Sequence, residues 1–292
     1  MKNLRKMIGD SSKPLVIPGV YDAIGAKIAQ KAGFEAMFQT GYGTSATLFG
    51  MPDYGFIGST ETVENARRIC RAVSVPVIVD SDTGYGNALS VWKIVNELES
   101  AGAAGIFLED QRWPKRCGHM SGKEVIEKEE YAEKLQAALD ARKSKDFIIV
   151  ARTDARATRG LDDAIERGKY YRKIGADVIF VEAPKSVDEM KKIGKSIDAP
   201  LVANMIEGGA TPVIPSATLH KMGFKIVLYP LSVLFANAFA SIQILKELKR
   251  TGTTAKMGKS VVSFDEFNDL VDLSKFRNLE NRYKGHKIKK FK

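Results

Sequence analysis

Eight times along the chain, a short apolar run rich in β-forming residues is followed by a stretch whose apolar positions recur at helical spacing. That alternation constrains the fold more than any other feature. The apolar runs are PLVIPG (14–19), FEAMFQT (34–40), VPVIVD (75–80), AGIFLED (104–110), DFIIVAR (146–152), ADVIFVE (176–182), APLVAN (199–204) and FKIVLYP (224–230). The helical patterns fall at 20–32, 60–73, 88–101, 128–142, 162–174, 187–196, 215–222 and 231–251, and residues 41–59 read as a long Gly-rich loop. Most of the runs are apolar on both faces, as a parallel sheet covered by helices requires. The phrases KAGFEA, SAGAAG, KIGADV and KMGFKI put Gly at helix C-termini, where a left-handed cap favours it. Eight such units predict an α/β fold of the TIM-like (β/α)8 barrel type over residues 1–251 rather than an open doubly wound sheet. After 251 the pattern changes. TGTTAKMG reads as a linker and 263–283 as a helical appendage, so 252–292 is expected to be a C-terminal helical extension ending in a basic tail.

Composition fits one barrel of ordinary globular type: 292 residues, 44% hydrophobic and 27% charged. The 45 basic and 35 acidic residues leave a net charge of +10, and Lys284 to Lys292 alone carry five lysines and no acid. The tail reads as a solubilising terminus. The rest of the chain shows no basic stripe interleaved with aromatics, so neither a nucleic-acid surface nor a membrane is an expected partner. MKNLRKMIGDSSKP lacks the apolar stretch of a signal peptide, and no run of about 18 apolar residues exists. Two cysteines, Cys70 and Cys117, are consistent with a reducing compartment, and the expected location is the cytoplasm.

A barrel of this kind forms its site where the strands end. The last residues of the runs are Thr40, Asp80, Glu109, Arg152, Glu182, Asn204 and Tyr229. Asp80 and Asp82 in VDSDTGYG and Glu109 in FLEDQ form an oxygen-rich set. Carboxylates aimed at one point repel unless a cation sits among them, and hard oxygen ligands suit Mg²⁺, or Mn²⁺, rather than zinc. Helix caps and salt bridges to Lys or Arg are the competing reading. In KRCGH (115–119), Lys115, Arg116 and His119 surround Cys117 with positive or protonatable groups, which predicts a lowered thiol pKa. Gly118 would let the backbone approach a ligand closely. GYGTSA (41–46) fits a relaxed dinucleotide fingerprint, but Glu61, at the spacing of the acidic partner, starts a helix, so NAD is rejected. Backbone N–H groups binding a substrate carboxylate are the better reading.

Together GYGTSATLFGMPDYG, VIVDSDTGYG, GIFLEDQRWPKRCGHMSGK, IVARTDARATRGLDDAIERG, FVEAP and LVANMIEGGATP make the chain resemble the isocitrate lyase / phosphoenolpyruvate mutase superfamily over nearly its whole length. The resemblance implies an α/β barrel that binds Mg²⁺ and cleaves or rearranges 2-oxo or 2-hydroxy acids, and a homo-oligomer, a tetramer built as a dimer of dimers. It implies Asp80, Asp82 and Glu109 as the metal group and Thr40, Gly41 and Tyr42 as a carboxylate-binding loop. Asp53 in MPDYG would be a site residue, Cys117 and Gly118 would lie on a gating loop, and Arg152, Glu182 and Asn204 would contact substrate. The KRCGH loop marks the carbon–carbon lyase branch.

Two departures bear on substrate. Methylisocitrate lyases of this family carry arginines in YPLSxxR and TRxELY patterns, where this chain has Phe235 and Phe264. Losing two fixed cations should weaken binding of the third carboxylate of a tricarboxylic acid. The resemblance is strongest to the dimethylmalate lyase and petal death protein group, which implies a dicarboxylate such as a 2-alkylmalate or oxaloacetate. The expected chemistry is a retro-aldol cleavage with Cys117 as proton donor. The rivals are 2-methylisocitrate lyase activity, a P–C mutase of the carboxyphosphonoenolpyruvate type, and a non-catalytic binding protein on a retained barrel.

Overall fold

The computed structural model describes residues 3–10 and 12–284. The basic-tail reading, beyond Lys284, lies outside the described residues. Two compact units are present, residues 1–235 and 236–292. The helix 232–251, no residue of which is buried, spans the division between the two units.

In the first unit eight parallel strands close into a barrel in sequence order. They are β1 (Leu15–Val20), β2 (Met37–Gln39), β3 (Val77–Asp80), β4 (Gly105–Glu109), β5 (Ile148–Thr153), β6 (Val178–Val181), β7 (Leu201–Asn204) and β8 (Phe224–Tyr229). Pairing of Leu15 with Ile226 and of Ile17 with Leu228 closes the ring between β1 and β8. The helices are α1 (Leu4–Gly9), α2 (Ala23–Lys31), α3 (Gly41–Phe49), α4 (Ser59–Ala72), α5 (Ala88–Ala101), α6 (Lys128–Ala141), α7 (Ala155–Thr158), α8 (Leu161–Ile174), α9 (Val187–Ser196), α10 (Ser216–Lys221) and α11 (Ser232–Thr251). The second unit continues with α12 (Phe264–Leu270) and α13 (Leu273–Tyr283), so the single appendage expected over 263–283 is two helices.

Local chemistry explains the boundaries. Helix α5 starts where the Asn87 side chain accepts the N–H groups of Leu89 and Ser90, and it stops at Gly102, whose φ of 99° lies in the left-handed region. Its buried face is Val91, Ile94, Val95, Leu98 and Ala101, one stripe at helical spacing. Each large aliphatic side chain buried there contributes roughly 1.5–3 kcal/mol.

The core has two layers. Strand residues of one parity, among them Ile17, Phe38, Ile78, Phe107, Val150, Phe180, Val202 and Ile226, fill the barrel interior, with Leu4 and Ile8 of α1 in the same cluster. Residues of the other parity, among them Met37, Val79, Ile106, Leu108, Ile149, Ile179 and Val227, pack with the apolar stripes of the helices. Among the described residues no helix is long and apolar enough to cross a membrane.

Candidate active site

Side chains two residues apart on a strand share a face. Thr40, Asp80, Glu109, Arg152, Glu182 and Asn204 each lie two residues beyond an interior residue: Phe38, Ile78, Phe107, Val150, Phe180 and Val202. All six therefore continue the inward face to the C-terminal mouth of the barrel. On β8 the inward parity belongs to Leu228. Tyr229, expected from the sequence to join the site, packs instead with the outer core layer.

A small cavity at that mouth is lined by Thr40, Tyr42, Asp53, Asp80, Cys117, Gly118, Arg152, Glu182 and Asn204. Phe38, Phe107, Phe180, Ile206, Leu228, Pro230 and Leu231 form the apolar remainder, which the sequence reading missed. About 40 Å³ is left free, enough for a water or two but not for a dicarboxylate. A dicarboxylate needs more room than this, which the expected gating loop around Cys117 would provide by opening. Three expected site residues do not line this cavity: Gly41, Asp82 and Glu109. Asp82 and Glu109 are buried behind its wall, 3% and 2% exposed. Phe235 does not line it either.

The segment after β2 is a helix rather than the expected Gly-rich loop. Thr40 caps α3, its hydroxyl accepting the N–H of Gly43. Gly41 donates its N–H to Asp80 Oδ2 at 3.3 Å, and a Cβ on Gly41 would lie 2.9 Å from the same oxygen, so a larger residue would push the Asp80 carboxylate aside. The expected carboxylate-binding N–H groups thus lie in the first turn of a helix, where Gly41 and Gly43 already give theirs to Asp80 and Thr40.

Charge is balanced by cations of the chain itself. Lys115 is 3% exposed, and its ammonium lies 2.6 Å from both Asp53 Oδ1 and Asp82 Oδ1. Arg152 Nη1 stands 3.3 Å from Glu109 Oε2, while Arg152 Nε and Nη2 donate to Asp154 at 2.9 and 3.2 Å. Burial pushes the Asp82 carboxyl up to about 7, although the Lys115 charge opposes the rise. Burial likewise raises Glu109 well above the usual carboxylate range, against the pull of Arg152. Among the described residues, no three His, Cys, Asp or Glu side chains come close enough to enclose an ion by themselves. Both oxygens of Glu109 are nonetheless buried without a hydrogen bond. Asp82 holds a left-handed backbone, φ 48°, a conformation that residues with side chains seldom keep away from functional sites. These features fit a Mg²⁺ ion held through one or two carboxylates, with water or substrate oxygens completing its shell.

The environment of Cys117 corrects the sequence expectation. Burial pushes its thiol up to about 11, not down. The three basic neighbours point elsewhere. Lys115 is committed to Asp53 and Asp82, and Arg116 stacks over the Tyr54 ring at 5.4 Å. His119 Nδ1 accepts the N–H of Ala210 at 2.9 Å, which leaves the ring proton on Nε2, 3.1 Å from Glu182 Oε1. Cys117 is therefore a neutral thiol, suited to giving a proton rather than to attacking as a thiolate. Glu182 is the opposite case. Burial alone would raise it, but the Arg152 charge and the His119 hydrogen bond outweigh burial and hold it below the usual range. Asn204 Nδ2 donates to Glu182 Oε1 at 3.2 Å, and its Oδ1 is buried without a partner.

An ionised acid, an un-ionised thiol and a fixed guanidinium at the C-terminal mouth of a (β/α)8 barrel define an enzyme. The chain belongs to the phosphoenolpyruvate phosphomutase family, whose model matches residues 4–249. It is 46% identical to the 2,3-dimethylmalate lyase of Eubacterium barkeri, over 94% of each chain. It is 49% identical to the chloroplastic carboxyvinyl-carboxyphosphonate phosphorylmutase of Arabidopsis thaliana, over 92% of this chain and 80% of that one. Among solved structures, a 2,3-dimethylmalate lyase of the PEP mutase/isocitrate lyase superfamily superposes with a TM-score of 0.91 at 32% identity, covering 97% of this chain and 94% of that one. A phosphonopyruvate hydrolase solved with oxalate and Mg²⁺ superposes with a TM-score of 0.87 at 30% identity, covering 96% and 98%.

Proposed function

We propose that this chain is a Mg²⁺-dependent carbon–carbon lyase that cleaves a 2-hydroxy or 2-oxo dicarboxylate, such as a 2-alkylmalate or oxaloacetate, by retro-aldol chemistry. The observation that carries this reading is the un-ionised Cys117 thiol facing Arg152, Glu182 and Asn204 in a pocket whose other half is apolar. The apolar half suits the alkyl portion of a substituted malate, and the polar half suits its carboxylates and hydroxyl.

Mg²⁺, bound at Asp80, Asp82 and Glu109, would supply electrostatic stabilisation of the oxygens of the departing 2-oxo acid. The relative solved with oxalate and Mg²⁺ supports that choice. The first turn of α3, with Thr40, Gly41 and Tyr42, binds one carboxylate, and Arg152 pairs with a carboxylate or oxo group. Asp53, neutralised by Lys115, keeps the loop seated. Glu182, held ionised, takes the hydroxyl proton of a 2-hydroxy acid; a 2-oxo acid such as oxaloacetate must first add a water at C2, so that the same step acts on its hydrate and the departing fragment is oxalate. The electron pair of the breaking C–C bond passes to the second fragment, and Cys117 delivers a proton to that carbon. Gly118 brings the backbone against the site so that the loop excludes water.

The test is turnover of a panel of C4–C6 dicarboxylates with and without Mg²⁺. Activity confined to dicarboxylates and dependent on metal supports the reading. The similarity to the Arabidopsis phosphorylmutase favours a second reading, P–C mutase chemistry. Phosphorus NMR of a phosphono substrate would detect it. We further infer a cytoplasmic homo-oligomer, a tetramer. Both thiols are free, and α11 exposes Phe239, Ile242 and Leu245 on its surface. Light scattering in solution tests the assembly.

A further inference from the structure

Lys123 closes the Cys117 loop from its C-terminal side, and the chemistry described so far gives it no task. Its side chain is 2% exposed. The ammonium donates to the Gly118 carbonyl and to Asp154 Oδ1, the latter at 3.1 Å. Asp154 is itself fully buried and is the carboxylate that grips Arg152 through Nε and Nη2. Burial would raise its pKa, but the charges of Arg152 and Lys123 override burial and hold it down at about 2. Asp154 is anchored in turn: its N–H donates to Asp110 Oδ1 at 2.9 Å, and Asp110 Oδ2 accepts from Thr153, Tyr171 and Arg167. The anchor belongs to the rigid barrel and α8, whereas Gly118 belongs to the loop.

A buried ammonium is tolerated only while its partners are in place. Of the two partners of Lys123, one moves with the loop and the other holds Arg152. We propose that Lys123 is a positioning residue, a latch that is satisfied only when Gly118 is seated, and that it ties loop closure to the orientation of Arg152 through their shared partner Asp154. Opening removes the Gly118 carbonyl, leaves the ammonium half-paired and frees it to leave Asp154. Arg152 then keeps its carboxylate partner but loses the second cation that holds that carboxylate in place. Closure reverses each step, so the guanidinium is fixed at the moment water is excluded. This inference rests on the reading of the loop as a gate, and it holds whichever acid is the substrate.

Amide hydrogen exchange of the full chain, with oxalate and Mg²⁺ as the probe ligands, tests it. Wild type and Lys123→Arg should both protect amides 112–122 when the probes are added. Lys123→Met should exchange those amides at least about tenfold faster while the barrel strands stay as slow as in wild type. In steady-state assays the Met variant should lose kcat with little change in KM. Equal loop protection in the Met variant and wild type overturns the proposal. A second measurement needs no variant. Lysine labelling of the wild type should find Lys123 unreactive with probes bound and reactive without them, since opening exposes its ammonium. Labelling of Lys123 at the rate of an exposed lysine with probes bound also overturns it. Neither measurement depends on turnover. A chain that cleaves no dicarboxylate yet shows the latch would count against the lyase reading alone.

Discussion

Gly118 and Glu182 meet backbone against carboxylate, so closely that a Cβ on Gly118 would overlap Glu182 Oε1 and lie 2.6 Å from Arg152 Nη2. The approach requires a residue without a side chain, and it is the contact through which the loop meets the cavity. Gly118→Ala should therefore fold normally, because the barrel does not depend on that contact, yet fail to close. We expect kcat to fall about 10²-fold, the size of loss that a small misplacement of catalytic groups produces. Thermal melting and steady-state kinetics check the two halves of this expectation, and a fully active alanine variant would contradict it.

Cys117 is a proton donor held un-ionised by burial. Cys117→Ser keeps the shape of the loop and should lower kcat by about 10²–10⁴, the range for a lost general acid. The thiol pushed up to about 11 should also react sluggishly with iodoacetamide at pH 8. Only the thiolate reacts, so the rate should climb about tenfold per pH unit from 7 towards 10. Fast alkylation at pH 7, or a covalent substrate adduct on Cys117 seen by mass spectrometry, would mean that the thiol acts as a nucleophile.

Divalent metal should be required. Asp80→Ala should abolish most turnover and most Mg²⁺ binding, and excess chelator should silence the wild type. The Asp82 carboxyl, raised to about 7 by burial, adds a pH dependence of fixed sign. Below that pH an ion must displace a proton, so apparent Mg²⁺ affinity should fall as pH drops from 8 to 6. Calorimetric titration at the two pH values measures it.

2-Methylisocitrate should be a poor substrate. Phe235 and Phe264 stand where the resemblance expects arginines, so neither sequence position can supply a charge to a third carboxylate. A kcat/KM for that tricarboxylate above that of every C4–C6 dicarboxylate would overturn the substrate assignment.

The Asp110 network should be structural in its energetics. Asp110→Ala leaves the buried Arg167, 2% exposed at its side chain, without its buried carboxylate partner. Breaking one member of such a pair costs about 3–5 kcal/mol. A melting temperature unchanged from wild type would show that the network is not load-sharing.

The barrel was legible because its signals are local. The glycine of SAGAAG, Gly102, marks the end of α5 at 88–101 in sequence and structure alike, and the Asn87 cap that the structure adds explains its start. Helix α3 was missed because two glycines at 41 and 43 read as a loop, and what makes it a helix is the Thr40 cap. The strand-end residues were legible by position, except Tyr229, because parity depends on where each strand starts its pleat rather than where its apolar run ends. The partners of Lys115 and Lys123 could not be read at all. Asp53 lies 62 residues from Lys115 and Asp154 lies 31 from Lys123, and only the closed barrel brings them together.

The two parities of the strands have a consequence for how such a chain can vary. Each strand-end site residue is held at the mouth by counting in twos from an interior residue, as Arg152 counts from Val150 and Glu182 from Phe180. Deleting or inserting a single residue inside a strand would turn that count over and send a charged group out among the apolar flanks of the helices, where nothing pairs it. The loops beyond the strand ends are under no such count. Changes of length there reshape the cavity and leave the acids where they are. Variation in substrate among chains of this architecture is therefore expected in the loops, while the strands behave as a fixed ruler.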